Sequence, residues 1–255
     1  MISRLAARFL PSSLRKPLFG YRDSDSIPFS ADDPDWLAWA AAYHDFYSAT
    51  QTSGLGGYVT KLGYQPIKQL YLDGKAILEI GPGSLPHRDL WQGKPGLFIS
   101  VDVDPEFHIL AEKKSQSSFQ AVTRKREDTA LPLPDETVDI ILTFYSLEHI
   151  TNLEENVKEF RRVLRPGGKF VGAVPNEGGL AWGLARFFST RKWIQKHYGL
   201  DYDKIISWEH PNYVDDIQVT LDNYFLREKW TNHPFRFSRS LNINLISSFV
   251  YRKAS

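Results

Sequence analysis

Residues 76–89 read AILEIGPGSLPHRD, and this stretch decides the fold of the chain. A short apolar run ends at Glu79, passes through Gly81, Pro82 and Gly83, and leads into a segment that can be helical. The pattern predicts a strand, a tight turn and a helix. Side chains at the two glycines would block close approach of the backbone to a ligand. The stretch is therefore typical of a nucleotide-cofactor turn, although such turns also occur without a ligand.

The composition indicates one substantial hydrophobic core. The chain has 255 residues, of which 42% are hydrophobic, enough for one large domain or a domain with an appended cap. Its net charge is +1, from 31 basic and 30 acidic residues, so we expect no nucleic-acid partner. The absence of cysteine excludes disulfides, thiolate nucleophiles and cysteine metal ligands. No apolar run reaches the roughly 20 residues of a membrane-spanning helix.

The first 22 residues form a basic segment without acidic side chains. Its basic residues are Arg4, Arg8, Arg15, Lys16 and Arg22. Three interpretations stay open: an interfacial membrane anchor, a transit peptide, and an arm that packs on the domain or frays in solvent. We expect a cytoplasmic protein. If the first 22 residues are an anchor, we expect it to bind peripherally to the inner face of a membrane.

Residues 1–72 are predicted to form this arm and a helical cap, ahead of a larger domain over residues 73–255. A helix begins after the N-cap Asp33 with Pro34 at its first position. One face of that helix is aromatic, and core packing is its favoured role over a ligand site. The residues of that face are Trp36, Trp39, Ala40, Tyr43 and Tyr47. Residues 53–57 are predicted to break the chain before a second helix over residues 58–72, interrupted at Pro66.

After the glycine turn, strands and helices alternate, which predicts a parallel sheet with helices on both faces. An apolar strand over residues 97–101 ends at Asp102. A carboxylate there, about twenty residues beyond the turn, can accept hydrogen bonds from ribose hydroxyls. The alternative, that Asp102 only caps a loop, stays open. Further strands are predicted at residues 119–122, 138–144, 169–174 and 241–251.

Two other classes of phosphate-binding turn do not match. A nucleoside-triphosphate loop needs Gly-Lys-Ser/Thr, but Gly83 is followed by Ser84, Leu85 and Pro86. A dinucleotide dehydrogenase needs a third glycine at the position of Pro86.

Five motifs along the chain point to one family. They are LEIGPG (78–83), VD (101–102), LPLPD with a second VD (131–135 and 138–139), LEHI (147–150) and RVLRPGG (162–168). In this order and spacing they resemble the class I S-adenosylmethionine-dependent methyltransferases. The resemblance covers residues 73–175 closely and the remainder only loosely.

The resemblance implies an α/β fold with a doubly wound, seven-stranded, mostly parallel Rossmann-like sheet, an N-terminal helical cap and an insert after the fifth strand. S-adenosylmethionine is the implied cofactor, bound across the carboxyl ends of strands one, two and four. The residues implied to bind it are Glu79, Gly81, Pro82 and Gly83 for methionine and ribose, Asp102 for the ribose hydroxyls, Val103 beside adenine, Glu127 or Asp128 for the adenine amino group, and Phe144 and Tyr145 at the sulfonium. Counting back from the LPLPD motif leaves Glu127 and Asp128 both open, with Asp128 preferred.

Two positions depart from the family pattern. Leu85 stands where many members carry a third glycine, so the methionine end of the site is expected to be narrower. Tyr145 stands where the ubiquinone O-methyltransferases carry an additional carboxylate beside their Leu-Glu-His sequence. We therefore expect no metal at Glu148 and His149.

The resemblance implies methyl transfer, for which positioning supplies most of the rate and a base is needed only when a hydroxyl must lose its proton. His149 and His210 are the candidate catalytic bases, with structural roles for both left open. An aromatic and basic insert over residues 176–213 is predicted to be a lid, although it can be only an amphipathic helix. We expect O-methylation of a small molecule or of a glycan or lipid-linked acceptor. The alternative is a non-catalytic binding or scaffold protein of the same fold.

Overall fold

One mixed sheet organises the molecule, and the computed structural model describes it within residues 5–51 and 54–255, excluding the side chains of residues 44–56. The strands are β1 (Ala76–Ile80), β2 (Leu97–Asp102), β3 (Ser118–Thr123), β4 (Val138–Phe144), β5 (Leu164–Pro175), β6 (Leu226–His233) and β7 (Ile246–Arg252). Their order across the sheet is β3-β2-β1-β4-β5-β7-β6. Strands β1 to β5 pair in parallel, and β7 lies antiparallel between β5 and β6. The predicted fold class is confirmed.

The helices surround this sheet and extend over one end of it. They are α1 (Ser12–Phe19), α2 (Pro34–Gln51), α3 (Gly54–Gly63), α4 (Pro105–Ser115), α5 (Leu153–Val163), α6 (Leu180–Phe188), α7 (Thr190–Tyr198), α8 (Tyr202–Glu209) and α9 (Val214–Tyr224). Within the described ranges, no helix combines the length and the apolarity that crossing a membrane requires.

Strand β4 shows why the sheet is built this way. All of its residues are buried except Asp139, which is half-buried, as expected for a central parallel strand covered on both faces. The Asp139 carboxylate accepts a hydrogen bond from the Ala76 backbone N–H at 2.9 Å and pairs with Arg165 at 2.7 Å. The acidic residue of the second VD motif therefore ties the start of β1 to β4 and β5.

The predicted helix after the glycine turn is wrong. Residues 84–87 form turns, and only Arg88–Leu90 forms a short 3-10 helix. Leu85 has a positive φ of 51°, which is outside the helical region, and Pro86 has no backbone N–H for a helical hydrogen bond. The glycine turn is consequently followed by a compact loop rather than by a helix N-terminus.

The predicted closing strands also differ from the structure. Strand β6 begins at Leu226, directly after α9, and was not predicted because its polar sequence is half-exposed at the sheet edge. Only the second half of the predicted region 241–251 becomes a strand, β7. An edge strand with several charged residues is typical of natural sheets, but it has little hydrophobic signal.

The helical cap is present, with one correction. The Asp33 carboxylate accepts a hydrogen bond from the Asp35 N–H at 2.9 Å, so α2 has the predicted N-cap. Gly54–Gly57 lie within α3 instead of breaking the chain, and the second helix ends at Gly63 before the 3-10 turn Gln65–Gln69. The Tyr47 side chain lies outside the described residues. Trp36 and Trp39 pack on α8, with ring-centroid distances of 6.3 Å to Trp208 and 5.9 Å to Tyr202.

The basic arm packs on the domain from residue 5 onward. Leu5 and Phe19 are fully buried, Arg8 pairs with Asp216 at 2.7 Å, and Arg15 pairs with Asp25 at 2.5 Å. Arg4 lies outside the described residues. The membrane-anchor interpretation relied on free basic side chains and a free apolar face, and a membrane contact through Arg8, Arg15 or Leu5 would have to break these internal contacts.

The insert consists of α6, α7 and α8. Its centre is the buried carboxylate of Asp203, which Arg186 meets at 2.7 Å and Arg191 at 2.8 Å. Arg186 also donates to the backbone oxygens of Pro17 and Leu18 in the arm. Two arginines of the basic insert are therefore occupied in holding it together.

Candidate active site

A cavity of about 770 Å³ lies at the carboxyl ends of β1, β2 and β4, beneath α2 and α8. Almost all of the predicted site residues line it. Those on its wall are Glu79, Gly81, Pro82, Gly83, Asp102, Val103, Asp128, Phe144, Tyr145, His149 and His210. Glu127 is not among the lining residues, so the geometry favours Asp128 of the two alternatives.

The floor of the cavity is the glycine turn. Gly81 and Gly83 have φ angles of +62° and +51°, which L side chains rarely adopt. A Cβ at Gly81 would also overlap the hydroxyl oxygen of Ser146. The turn thus needs glycine at Gly81 for two reasons, and the backbone stays open towards the cavity.

Glu79 presents an unsatisfied carboxylate oxygen at this floor. Its side chain is 1% exposed, and its Oε1 lies 2.7 Å from Nε2 of His87. Trp91 donates its indole N–H to His87 Nδ1 at 3.0 Å, so the neutral ring donates from Nε2 to Glu79. Glu79 Oε2 has no hydrogen-bond partner among the described residues. A buried acceptor in this state fits a cationic group of a ligand, such as the methionine amino group of the implied cofactor.

His87 and Trp91 were not identified from the sequence. The only local signal is that the two residues stand four positions apart. A turn and a short 3-10 helix bring their side chains into contact, and no amphipathic helix pattern marks them. Through these hydrogen bonds, His87 and Trp91 fix the orientation of the Glu79 carboxylate.

Asp102 ends β2 and carries the second acceptor. Its Oδ1 accepts a hydrogen bond from the Asp104 N–H at 3.0 Å. Burial raises the pKa of Asp102 to about 6, against the opposing effect of backbone hydrogen bonds. The neighbouring Val103 side chain is exposed on the cavity wall. This pair fits a ribose and an adjacent apolar ring, as the resemblance implies.

Asp128 stands on the next loop, after β3. Its Oδ2 accepts a hydrogen bond from the Lys125 N–H at 2.8 Å, which closes a tight turn. Its role towards adenine stays a prediction.

Phe144 ends β4 and Tyr145 follows it, between the glycine turn and the cap. Tyr145 has a φ of 60° and donates its hydroxyl to the Thr60 carbonyl of α3 at 2.7 Å. Tyr64, just after α3, contacts both rings at centroid distances of 5.2 and 5.7 Å. The cap is thereby anchored to the centre of the cavity.

The two predicted bases meet on the opposite wall. The His149 and His210 rings lie edge to face with centroids 4.2 Å apart. His149 Nδ1 lies 3.1 Å from the Glu209 backbone oxygen and 3.4 Å from its carboxylate. His210 Nδ1 donates to the carboxylate of Glu177, which is fully buried. Each imidazole thus has its own carboxylate, and neither Glu177 nor Glu209 was identified from the sequence.

Their environments separate the two histidines chemically. Burial lowers the pKa of His210. Burial would lower the pKa of His149, but the hydrogen bond and charge of Glu209 outweigh it and raise that pKa. Burial would raise the pKa of Glu209, but the contact with His149 outweighs it and lowers that pKa to about 2. Burial raises the pKa of Glu148 to about 7. At neutral pH His210 is consequently the uncharged ring, suited to accept a proton.

Ligand atoms of His149, Glu209 and His210 lie within 4.8 Å of one another, a spacing that a metal ion can also use. The contacts of these rings with Glu209 and Glu177 account for that spacing without an ion. The absence of a metal stays a prediction.

Comparison with known proteins agrees with this geometry. Residues 78–172 match the model of a methyltransferase domain family. A probable S-adenosylmethionine-dependent methyltransferase of Mycolicibacterium smegmatis is 34% identical over 106 residues, which cover 40% of this chain and 39% of that protein. The chain thus spans about two fifths of the length of the curated relatives it matches.

Solved structures share the fold. An S-adenosylmethionine-dependent methyltransferase from Mesorhizobium loti superposes with a TM-score of 0.54 at 15% identity, covering 78% of this chain and 100% of that one. The carbon methyltransferase CurJ superposes with a TM-score of 0.55 at 18% identity, covering 88% and 61%. Together with the matched motifs and the strand order, these findings show that residues 78–172 form a methyltransferase domain of the class I S-adenosylmethionine-dependent family, whose cofactor is S-adenosylmethionine.

Proposed function

We propose that this protein transfers a methyl group from S-adenosylmethionine to a hydroxyl of a largely apolar small-molecule or lipid-linked acceptor. One observation carries the proposal: a single cavity joins the Glu79 and Asp102 acceptors to the His149 and His210 pair. A cavity that held only cofactor-binding residues, with no group able to accept a proton, would suit a binding protein. Here the second wall carries an uncharged imidazole held by a buried carboxylate.

The cofactor side is assigned to residues from the ends of β1, β2 and β4. Glu79 would accept hydrogen bonds from the amino group, and Asp102 would accept them from the ribose hydroxyls. When bound, the cofactor supplies an electrophilic methyl group. The chain contributes a turn without side chains at Gly81 and Gly83 and the Phe144 and Tyr145 rings that exclude water.

His210 is the proposed general base. Because Nδ1 donates to Glu177, the lone pair lies on Nε2, the remaining ring nitrogen of a side chain on the cavity wall. Its lowered pKa keeps the ring neutral at physiological pH. This arrangement suits removal of a proton from a hydroxyl and supports O-methylation.

The apolar character of the acceptor is inferred from the cap side of the cavity. Trp36, Trp39 and Tyr43 of α2 face Tyr202 and Ile206 of α8 there. Such a cluster suits stacking against a ring or an aliphatic chain. The insert arginines that would favour a phosphorylated or sugar-nucleotide acceptor are bound to Asp203.

The experiment is a methyl-transfer screen with radiolabelled S-adenosylmethionine. The acceptor panel contrasts hydroxylated aromatic and prenyl-chain compounds with nucleotide sugars of similar size. We expect label in the apolar hydroxylated class, with the methyl group on oxygen by mass spectrometry. Label found only in nucleotide sugars would refute the acceptor assignment, and failure of all panels despite tight cofactor binding would favour a binding protein.

A further inference from the structure

The carboxylate that holds His210 is itself held by a residue of the N-terminal arm. Arg22 pairs with Glu177 at 2.6 Å, and the two side chains are 5% and 0% exposed. Neither residue lines the cavity, whereas His210 does. Contacts between the three side chains therefore connect the arm to the cavity wall.

The arm is shaped to deliver Arg22 to this position. Gly20 has a φ of +84°, and a Cβ there would meet the Asp203 backbone oxygen of α8. The Tyr21 N–H donates to that same oxygen at 3.2 Å. Arg22 also donates to the Ile206 carbonyl at 3.2 Å, and its guanidinium lies 4.8 Å from the centroid of the Tyr213 ring. These contacts fix the guanidinium over α8 and next to Glu177.

We propose that Arg22 is a positioning residue for methyl transfer: it balances the buried charge of the Glu177 carboxylate, so that the His210 ring stays neutral while Glu177 accepts its Nδ1–H and leaves the other ring nitrogen available to the acceptor. The inference rests on the proposed role of His210 as base. It gives residues 5–22 a function in the active site that the basic composition of the segment does not indicate.

The role of Arg22 is electrostatic. A fully buried carboxylate without a compensating cation is costly, so it takes up a proton or draws one onto its partner. With Arg22 in place, the group of Arg22, Glu177 and neutral His210 has no net charge. Without Arg22 the remaining pair would carry one buried negative charge, and uptake of a proton by the pair would remove it. His210 would then be positively charged, or would carry its proton on Nε2 instead of Nδ1, at the pH where a base is needed.

Other charged groups also face His210 and stay unchanged in this comparison. From the loop after β4 come Glu148 and His149, from the end of α8 comes Glu209, and from the loop after β3 comes Arg126, which donates to the Trp208 and Glu209 carbonyls. The phenols of Tyr202 and Tyr213 flank Glu177 and Arg22. Arg22 and Glu177 can therefore be varied against a constant background.

The test measures the His210 pKa and tautomer by NMR in the full chain labelled with 15N-histidine. The His210→Gln variant assigns the signal. We expect the wild-type ring to be neutral at pH 7 with its proton on Nδ1. Arg22→Met should raise the apparent pKa of His210 by about one unit or more, and Glu177→Gln should lower it. Arg15→Met is the matched control, because Arg15 is also an arm arginine in an ion pair but contacts Asp25 instead.

Opposite shifts in the two variants, with Arg15→Met unchanged, would support the proposal, since a merely structural role gives no reason for opposite signs. An unchanged His210 pKa and tautomer in folded Arg22→Met would overturn it. If Arg22→Met does not fold, Arg22→Lys and Glu177→Gln decide: the first should stay near the wild-type pKa and the second should fall, and an unshifted Glu177→Gln overturns the proposal. None of these readouts requires turnover, so a protein that binds no cofactor or methylates nothing would refute the proposed function and leave this result interpretable.

Discussion

The imidazole rings of His149 and His210 meet edge to face, with centroids 4.2 Å apart, although they come from a loop after β4 and from the end of the insert. Their carboxylate partners differ: the hydrogen bond and charge of Glu209 raise the pKa of the first ring against the effect of burial, and Glu177 orients the second. The two histidines are therefore neighbours with different chemistry, one suited to hold charge and the other to accept a proton.

This difference predicts unequal effects of alanine substitution. His210→Ala should lower turnover about 100- to 10,000-fold through loss of the base, with S-adenosylmethionine affinity nearly unchanged. His149→Ala should have a smaller effect, through the charge balance around Glu209. His197→Ala is the control, because His197 is an exposed histidine of α7 outside the cavity. Steady-state kinetics decide the matter, and normal turnover by folded His210→Ala would assign His210 a structural role.

Cofactor binding should depend on pH through Asp102. Its pKa of about 6 in the free protein means that the carboxylate is charged at pH 7.5 and increasingly protonated below pH 6. Since the charged form is the better acceptor for ribose hydroxyls, affinity should fall by up to about tenfold per pH unit below that pKa. Asp102→Asn should bind about 10- to 100-fold more weakly at pH 7.5 and lose this pH dependence. Identical pH profiles for the two proteins would exclude Asp102 from the site.

Gly81→Ala should damage the site more than an equivalent change elsewhere. The substitution combines a positive φ, costing about 1–2 kcal/mol, with overlap onto Ser146. Gly167→Ala is the matched control: its φ is +74°, but an added Cβ there meets no described atom within 4 Å. Urea unfolding should show a similar backbone cost in both variants and an additional loss in Gly81→Ala, together with weaker S-adenosylmethionine binding. Equal stability and equal binding in the two variants would contradict the close packing at the turn.

Chelation should leave the enzyme active. The contacts of His149 and His210 with carboxylates account for the spacing of the histidine and glutamate cluster, so we expect methyl transfer to be unchanged after dialysis against EDTA. Activity lost to EDTA and restored by one divalent metal would instead identify the cluster of His149, Glu209 and His210 as a metal site.

The sequence was most informative where one short stretch determines both structure and site. Gly81 and Asp102 follow from local rules about turns and strand ends, and the mostly parallel sheet follows from the alternation of strands and helices together with the family motifs. The helix predicted after the glycine turn is absent because the positive φ of Leu85 and the missing N–H of Pro86 oppose it. The spacing of apolar residues in the sequence reveals neither effect.

Long-range contacts could not be predicted in the same way. Glu177 and Glu209 acquire their roles only when the insert returns to the sheet, and Arg22 reaches Glu177 across 155 positions of the chain. In sequence, Arg22 resembled one more cation of a basic arm. In the structure its guanidinium is buried, and no local pattern records that burial.

The most direct measurement of the central claim is an isothermal titration of the wild-type protein and of Glu79→Gln with S-adenosylmethionine at pH 7.5. The buried, unpaired Oε2 of Glu79 is assigned to the amino group of the cofactor. We predict one binding site per chain in the wild type, and an affinity at least about tenfold lower in the variant, because an amide lacks the charge of the carboxylate. Absence of binding to the wild type, or equal affinity in the two proteins, would contradict the assignment of this cavity to S-adenosylmethionine.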